Sequence, residues 1–186
     1  FPQGVLFEGY QNHWYQTEDL FGIKVVRVKT YISANRGVVR RSLDFLSFGF
    51  MGFIVGLFQS RPDIVVATSP QFFTAVAGWA IAACRGLPFI FELGDLWPTS
   101  IAAVGAMKKG FLLSLVEKLE LFLYRRATRV AALTHAFKKN LVRRGIEANK
   151  IDVVLNGVDL PRYAPQIRNK KLANKWLLQD KFVIGY

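Results

Sequence analysis

The segment IVVA at residues 64–67 is apolar at every position, so a strand built from it has no polar face to show water. Half-exposed strands alternate polar and apolar side chains. A near-continuous β-branched run belongs instead to a buried strand of a parallel sheet. Apolar runs return at 89–93 (FIFEL), 129–133 (RVAAL) and 151–155 (IDVVL), and a shorter one, IKVVRV at 23–28, follows the turn residue Gly22. Helical periodicity falls at 38–58, 71–84, 111–127 and 134–144, with Ser69 and Thr134 as N-cap candidates, Pro70 in a first turn and Gly145 as a stop. This alternation predicts an α/β fold: a Rossmann-like parallel sheet with helices on both faces. In such sheets ligands sit beyond the carboxyl ends of the strands. Those ends carry Thr68-Ser69-Pro70, Glu92 with Asp95, Thr134-His135 and Asn156-Gly157.

A chain of 186 residues can bury a sizeable core. The net charge of +12 points to an anionic partner: nucleic acid, phospholipid or a phosphorylated substrate. No uncharged run reaches the roughly 18–20 residues that cross a bilayer. The nearest, residues 45–58 (FLSFGFMGFIVGLF), is shorter and holds three glycines. A single cysteine, Cys84, excludes internal disulfides and cysteine metal clusters and fits a reducing compartment. Phe1 is not an initiator methionine, and residues 181–186 (KFVIGY) read as an interrupted strand, so a longer parent chain is expected. The expected organisation is a domain over 1–156, a basic linker with a short helix over 157–181, and the first strand of a second domain over 182–186.

Four segments carry a family resemblance. They are RPDIVVATSP at 61–70, ELGDLWP at 92–98, LYRRA at 123–127 and NGVD at 156–159. In this order they resemble the N-terminal, acceptor-side domain of bacterial group 1 (family 4) retaining glycosyltransferases of the GT-B fold, closest to the lipopolysaccharide O-antigen, capsule and exopolysaccharide branch. The resemblance implies a sugar transferred with retention from a nucleotide diphosphate-sugar to a lipid-linked saccharide acceptor. It also implies work at the cytoplasmic face of the plasma membrane, with no cofactor and no metal. The family's first strand with its glycine-rich loop, and most of the donor-binding domain, lie outside these residues, so residues 1–186 alone are expected to transfer no sugar. Gly94 stands where this branch often has arginine.

On that resemblance Asp95 is the first catalytic candidate and Glu92, at a position where relatives often place a cleft histidine, the second. Both also fit helix capping or loop hydrogen bonding, since carboxylates beyond a buried strand need partners. Ser69, Pro70, Trp97, His135 and Asn156 are substrate-binding candidates. Ser69 is first an N-cap, Trp97 also suits a loop anchor, and His135 also suits an ordinary first helical turn. Arg40, Arg41, Phe50 and Phe53 are candidates to face an anionic membrane, with Lys108, Lys109, Lys118, Arg125, Arg126, Lys138, Lys139, Arg143 and Arg144 adding charge. Two other readings stand beside this one. A nucleic-acid module needs basic residues interleaved with exposed aromatics, but most aromatics here lie in apolar runs, so no nucleic-acid partner is expected. The other is a non-catalytic scaffold of a polysaccharide assembly complex.

Overall fold

The computed structural model describes residues 4–34, 37–96 and 110–184. It forms two units, residues 1–155 and 156–186.

The first unit opens with an antiparallel hairpin, β1 (Tyr15–Leu20) and β2 (Ile23–Val28), registered from Tyr15 opposite Val28 to Leu20 opposite Ile23. Its two-residue turn holds Phe21 at φ 55° and Gly22 at φ 82°, the doubly left-handed geometry whose twist matches that of the strands. The Asp19 carboxylate accepts the Gly22 N–H at 2.9 Å. The strand expected at 23–28 therefore forms, but in this hairpin rather than in the alternating parallel sheet.

Four parallel strands follow in sequential order: β3 (Val65–Thr68), β4 (Phe89–Leu93), β5 (Arg129–Ala132) and β6 (Ile151–Val153). Ala67 lies opposite Phe91, Phe91 opposite Val130 and Val130 opposite Ile151, and this row is the buried heart of the unit. The alternate row, with Val66, Glu92, Arg129 and Asp152, is exposed.

Helices flank the sheet; among the described residues they pack on the face of Ala67, Phe91 and Val130, whereas the alternate face, expected to be covered as well, is exposed. α2 (Phe72–Arg85) ends in a left-handed Gly86 and lies against β3 so closely that a Cβ on Gly78 would stand 2.6 Å from the Ala67 Cβ. α1 (Val38–Leu57) packs on α2 through two glycines seven residues apart. A Cβ at Gly49 would meet Phe73 at 3.0 Å, and one at Gly56 would meet the Ile81 Cδ1 at 2.5 Å. These glycines let the two helices approach closely. α3 (Phe111–Arg126) contributes Leu123 and Tyr124 to the core, with Tyr124 edge-on to Phe91 at 4.9 Å. α4 (His135–Arg143) begins where Thr134 Oγ1 accepts the Phe137 N–H at 3.1 Å, the cap read from the sequence.

In the second unit α5 (Lys170–Lys175) is the short helix expected among the basic residues, capped by Asn169 Oδ1 on the Leu172 N–H at 3.0 Å. Arg168 donates to the carbonyls of Leu178 and Lys181. Residues 182–184 form no strand, having no ladder partner among the described residues.

Candidate active site at the carboxyl edge of the sheet

The parallel register brings the ends of β3 and β4 side by side, because Thr68 lies opposite Glu92. The ladder continues one step past the assigned strands. Ser69 N–H donates to the Glu92 carbonyl at 2.9 Å, and Leu133 N–H donates to the Leu93 carbonyl at 3.1 Å. That extra step moves Ser69 out of the role expected for it. Its backbone is still held by the sheet, so α2 starts only after Gln71, and Gln71 rather than Ser69 occupies the N-cap position. Pro70 accordingly precedes the helix instead of sitting in its first turn.

Ser69 is 5% exposed and holds the next loop. Its Oγ accepts the N–H of Gly94 at 3.1 Å and of Asp95 at 3.4 Å, and donates back to the Asp95 carbonyl at 3.4 Å. One hydroxyl thus satisfies three backbone groups just beyond β4, groups that would otherwise cost about 1–3 kcal/mol each if buried without partners. The clasp fixes Asp95, half-buried, at the sheet edge. A Cβ on Gly94 would stand 2.9 Å from the Ser69 carbonyl oxygen, so the clasped loop has room only for glycine at this position. Glu92 is exposed on the alternate row of the sheet.

Behind the edge lies a polar cluster the sequence reading missed. Tyr124 donates its hydroxyl to Glu120 Oε1 at 2.7 Å, and Arg144 Nη2 donates to Glu120 Oε2 at 2.6 Å and to Glu117 Oε1 at 3.3 Å. Glu120 is 1% exposed. Burial raises its pKa from the usual carboxylate range, against the pull of the Tyr124 and Arg144 hydrogen bonds. Tyr124 is pushed upward by burial, then by the Glu120 carboxylate, with a smaller contribution from Asp95. The cluster therefore lies within electrostatic reach of the candidate site. The i, i+4 spacing of Glu120 and Tyr124 was the available signal. The charge that makes it tolerable comes from a residue 24 positions away.

The other candidates fall as follows. His135 is exposed in the first turn of α4 and lines a shallow depression with Lys139 and Arg143; no described contact joins it to Asp95. Asn156 is exposed in the second unit. Trp97, Lys108 and Lys109 lie outside the described residues. Arg40, Arg41 and Phe50 are exposed on α1, whereas Phe53 is half-buried. Two residues assigned to a basic surface are otherwise engaged: Arg144 is turned inward to Glu120, and Lys138 Nζ donates to the Ile151 carbonyl at 2.6 Å.

The profile of the glycosyl transferase 4-like domain matches residues 5–157, from the segment before the hairpin through the last sheet strand to Gly157. The chain belongs to the glycosyl transferase 4-like family. No curated protein gives a significant match. Membership makes this glycosyl transferase 4-like domain part of a transferase that acts on a nucleotide-sugar donor and an acceptor, and the clasped loop at Asp95 is the best-built feature of its sheet edge. Among the described residues no helix is long and apolar enough to cross a membrane.

Proposed function

We propose that this domain forms the acceptor side of a retaining glycosyltransferase, moving a hexosyl group from a nucleotide diphosphate-sugar to a lipid-linked saccharide in bacterial cell-surface polysaccharide synthesis. The observation that carries the reading is the Ser69 clasp, which holds the Asp95 loop at the carboxyl edge of a sheet in a glycosyltransferase family. In a front-face reaction the bond from the anomeric carbon to the donor phosphate breaks as the acceptor hydroxyl bonds to the same face. The hydroxyl proton passes to the departing phosphate oxygen. No enzymic nucleophile is needed. Asp95 orients the acceptor hydroxyl and stabilises positive charge developing on the sugar, with Glu92, Ser69 and Pro70 shaping the edge beside it. The donor diphosphate needs no metal in this scheme, and no cofactor takes part. The test is nucleotide release from a panel of nucleotide-sugars by the complete gene product with membrane extracts as acceptor, compared with Asp95→Asn. Release that is stimulated by acceptor and unaffected by the substitution overturns the role of Asp95.

The proposed working place is the cytoplasmic face of the plasma membrane. α1 supports it: Val39, Leu43, Leu46 and Phe50, spaced by four, three and four residues, are all exposed and form one apolar stripe. Arg40 stands beside the stripe and no acidic residue falls on it, an arrangement suited to lying in an anionic interface.

A further inference from the structure

We propose that the cleft between residues 6–12, the hairpin and α1 is a saccharide-binding subsite, with Asp44 and Arg41 as its polar pair and Tyr10 and Phe45 among its walls. The cleft encloses about 480 Å³, inside the range of about 300–1,000 Å³ usual for small-ligand sites. Its walls are tied together before any ligand arrives. The Asn12 side chain donates to the Thr30 carbonyl at 2.8 Å and accepts the Thr30 N–H at 3.0 Å, and the Tyr31 N–H donates to Ser47 Oγ on α1 at 2.7 Å.

The charges select the ligand. Arg27 is committed to Glu18 and lies over the Tyr10 ring at 4.6 Å, so it adds little net charge. Arg41 lies over Phe45 at 5.3 Å and has no carboxylate at ion-pair distance among the described residues. One helical turn on, the Asp44 carboxylate accepts no hydrogen bond from a described group, and its half-burial raises its pKa. Among the described lining residues, an anionic ligand would meet one available cation and an opposing carboxylate. A hydrocarbon would strand both charges without partners. Neighbouring sugar hydroxyls serve both at once, donating to the carboxylate and accepting from the guanidinium, while the apolar C–H face of the ring lies on the aromatic and aliphatic walls. The cleft also reaches Gln71, the N-cap of α2, two positions after Ser69. A saccharide held here lies beside the candidate reaction edge. Its place as a subsite for the acceptor, at a sugar other than the reacting one, rests on the glycosyl-transfer reading; its binding chemistry does not.

The test maps amide shifts of the ¹⁵N-labelled chain during titration with a panel of methyl glycosides (gluco, galacto, manno and N-acetylglucosamine) and, separately, with inorganic phosphate. The expected result is saturable shifts at residues 10–12, 27–30 and 41–48 with at least one glycoside and none there with phosphate. Asp44→Asn and Arg41→Gln should each weaken that glycoside about tenfold, the effect of about 1.4 kcal/mol, with unchanged melting. Shifts with phosphate alone, no shifts in the cleft, or unaltered affinity in both folded variants overturn the proposal. Asp95→Asn should leave this binding intact while removing transfer in the complete gene product. Cleft binding without transfer retains the subsite and defeats the reaction, and transfer without cleft binding does the reverse.

Discussion

The Ser69 carbonyl oxygen stands 2.9 Å from where a Cβ on Gly94 would be, while the Ser69 hydroxyl accepts the Gly94 N–H from 3.1 Å. The same serine therefore requires glycine at position 94 and aims the residue after it. Backbone is the obstacle, so the contact cannot be relieved by a rotamer change. Gly94→Ala should cost about 1–3 kcal/mol, and Ser69→Ala a similar total, because Gly94 and Asp95 are only half-buried and water can replace part of the lost bonding. Each kilocalorie lowers the melting temperature by about 2–4 °C in a chain of this size. Thermal unfolding followed by circular dichroism checks both; a Gly94→Ala chain that melts with the wild type would show that the loop relaxes freely.

Glu120 and Arg144 give a pH-dependent prediction. Arg144→Met leaves a carboxylate buried without its cation, which should cost about 3 kcal/mol at pH 7. Because burial raises the folded-state pKa of Glu120 above its unfolded value, its protonated form is favoured in the native state. The associated stability is fully present below the unfolded pKa and is lost as pH rises through the raised folded value. Removing Arg144 raises the folded value further. The penalty of Arg144→Met should therefore shrink as pH falls toward the ordinary glutamate range, since a protonated Glu120 needs no cation. Urea unfolding of both chains across pH 4–8 measures the difference. A penalty independent of pH would remove Glu120 as its source.

The α1 stripe predicts charge-assisted binding to vesicles. Each basic residue near an anionic surface contributes about 1 kcal/mol before screening, so sedimentation with anionic vesicles should weaken as salt is raised. Phe50→Ser and Leu46→Ser should weaken it further, because both side chains face solvent. Phe53→Ser should act less on binding and more on stability, since Phe53 is half-buried. Equal binding to neutral and anionic vesicles rejects the electrostatic part, and equal binding by the Phe50 and Leu46 variants rejects the stripe.

The parallel strands were legible from their near-continuous apolar runs, as in residues 64–67 and 89–91, although only one side of them is buried and Val66 on the alternate row is exposed. β1 was not, because its sequence, YQTEDL, is held by pairing and turn geometry rather than by an apolar face. The Thr134 cap was readable from residue type alone, yet the same rule failed at Ser69. There a single extra ladder bond to Glu92 outweighed the capping preference and freed the hydroxyl to hold Gly94 and Asp95. Arg144 read as a surface cation beside Arg143. Its true partner, Glu120, lies on another helix, and no local pattern records a pairing across 24 residues. Asp95 was singled out by its place just beyond a strand end and given its candidate role by the family resemblance; the clasp that positions it was not legible.

The clasp sets up the decisive measurement on Asp95. Asparagine keeps the shape and some hydrogen bonding of the side chain, and the backbone bonds to Ser69 do not depend on the carboxylate. Asp95→Asn should therefore fold normally. If Asp95 acts mainly in the transition state, kcat in the complete gene product should fall about 100-fold or more while donor KM stays near its wild-type value. A residue that only secures the loop would instead cost about a kilocalorie of stability and leave kcat nearly intact. Measuring kcat and melting temperature on one preparation separates the two, and a destabilised, fully active Asp95→Asn enzyme defeats the catalytic assignment.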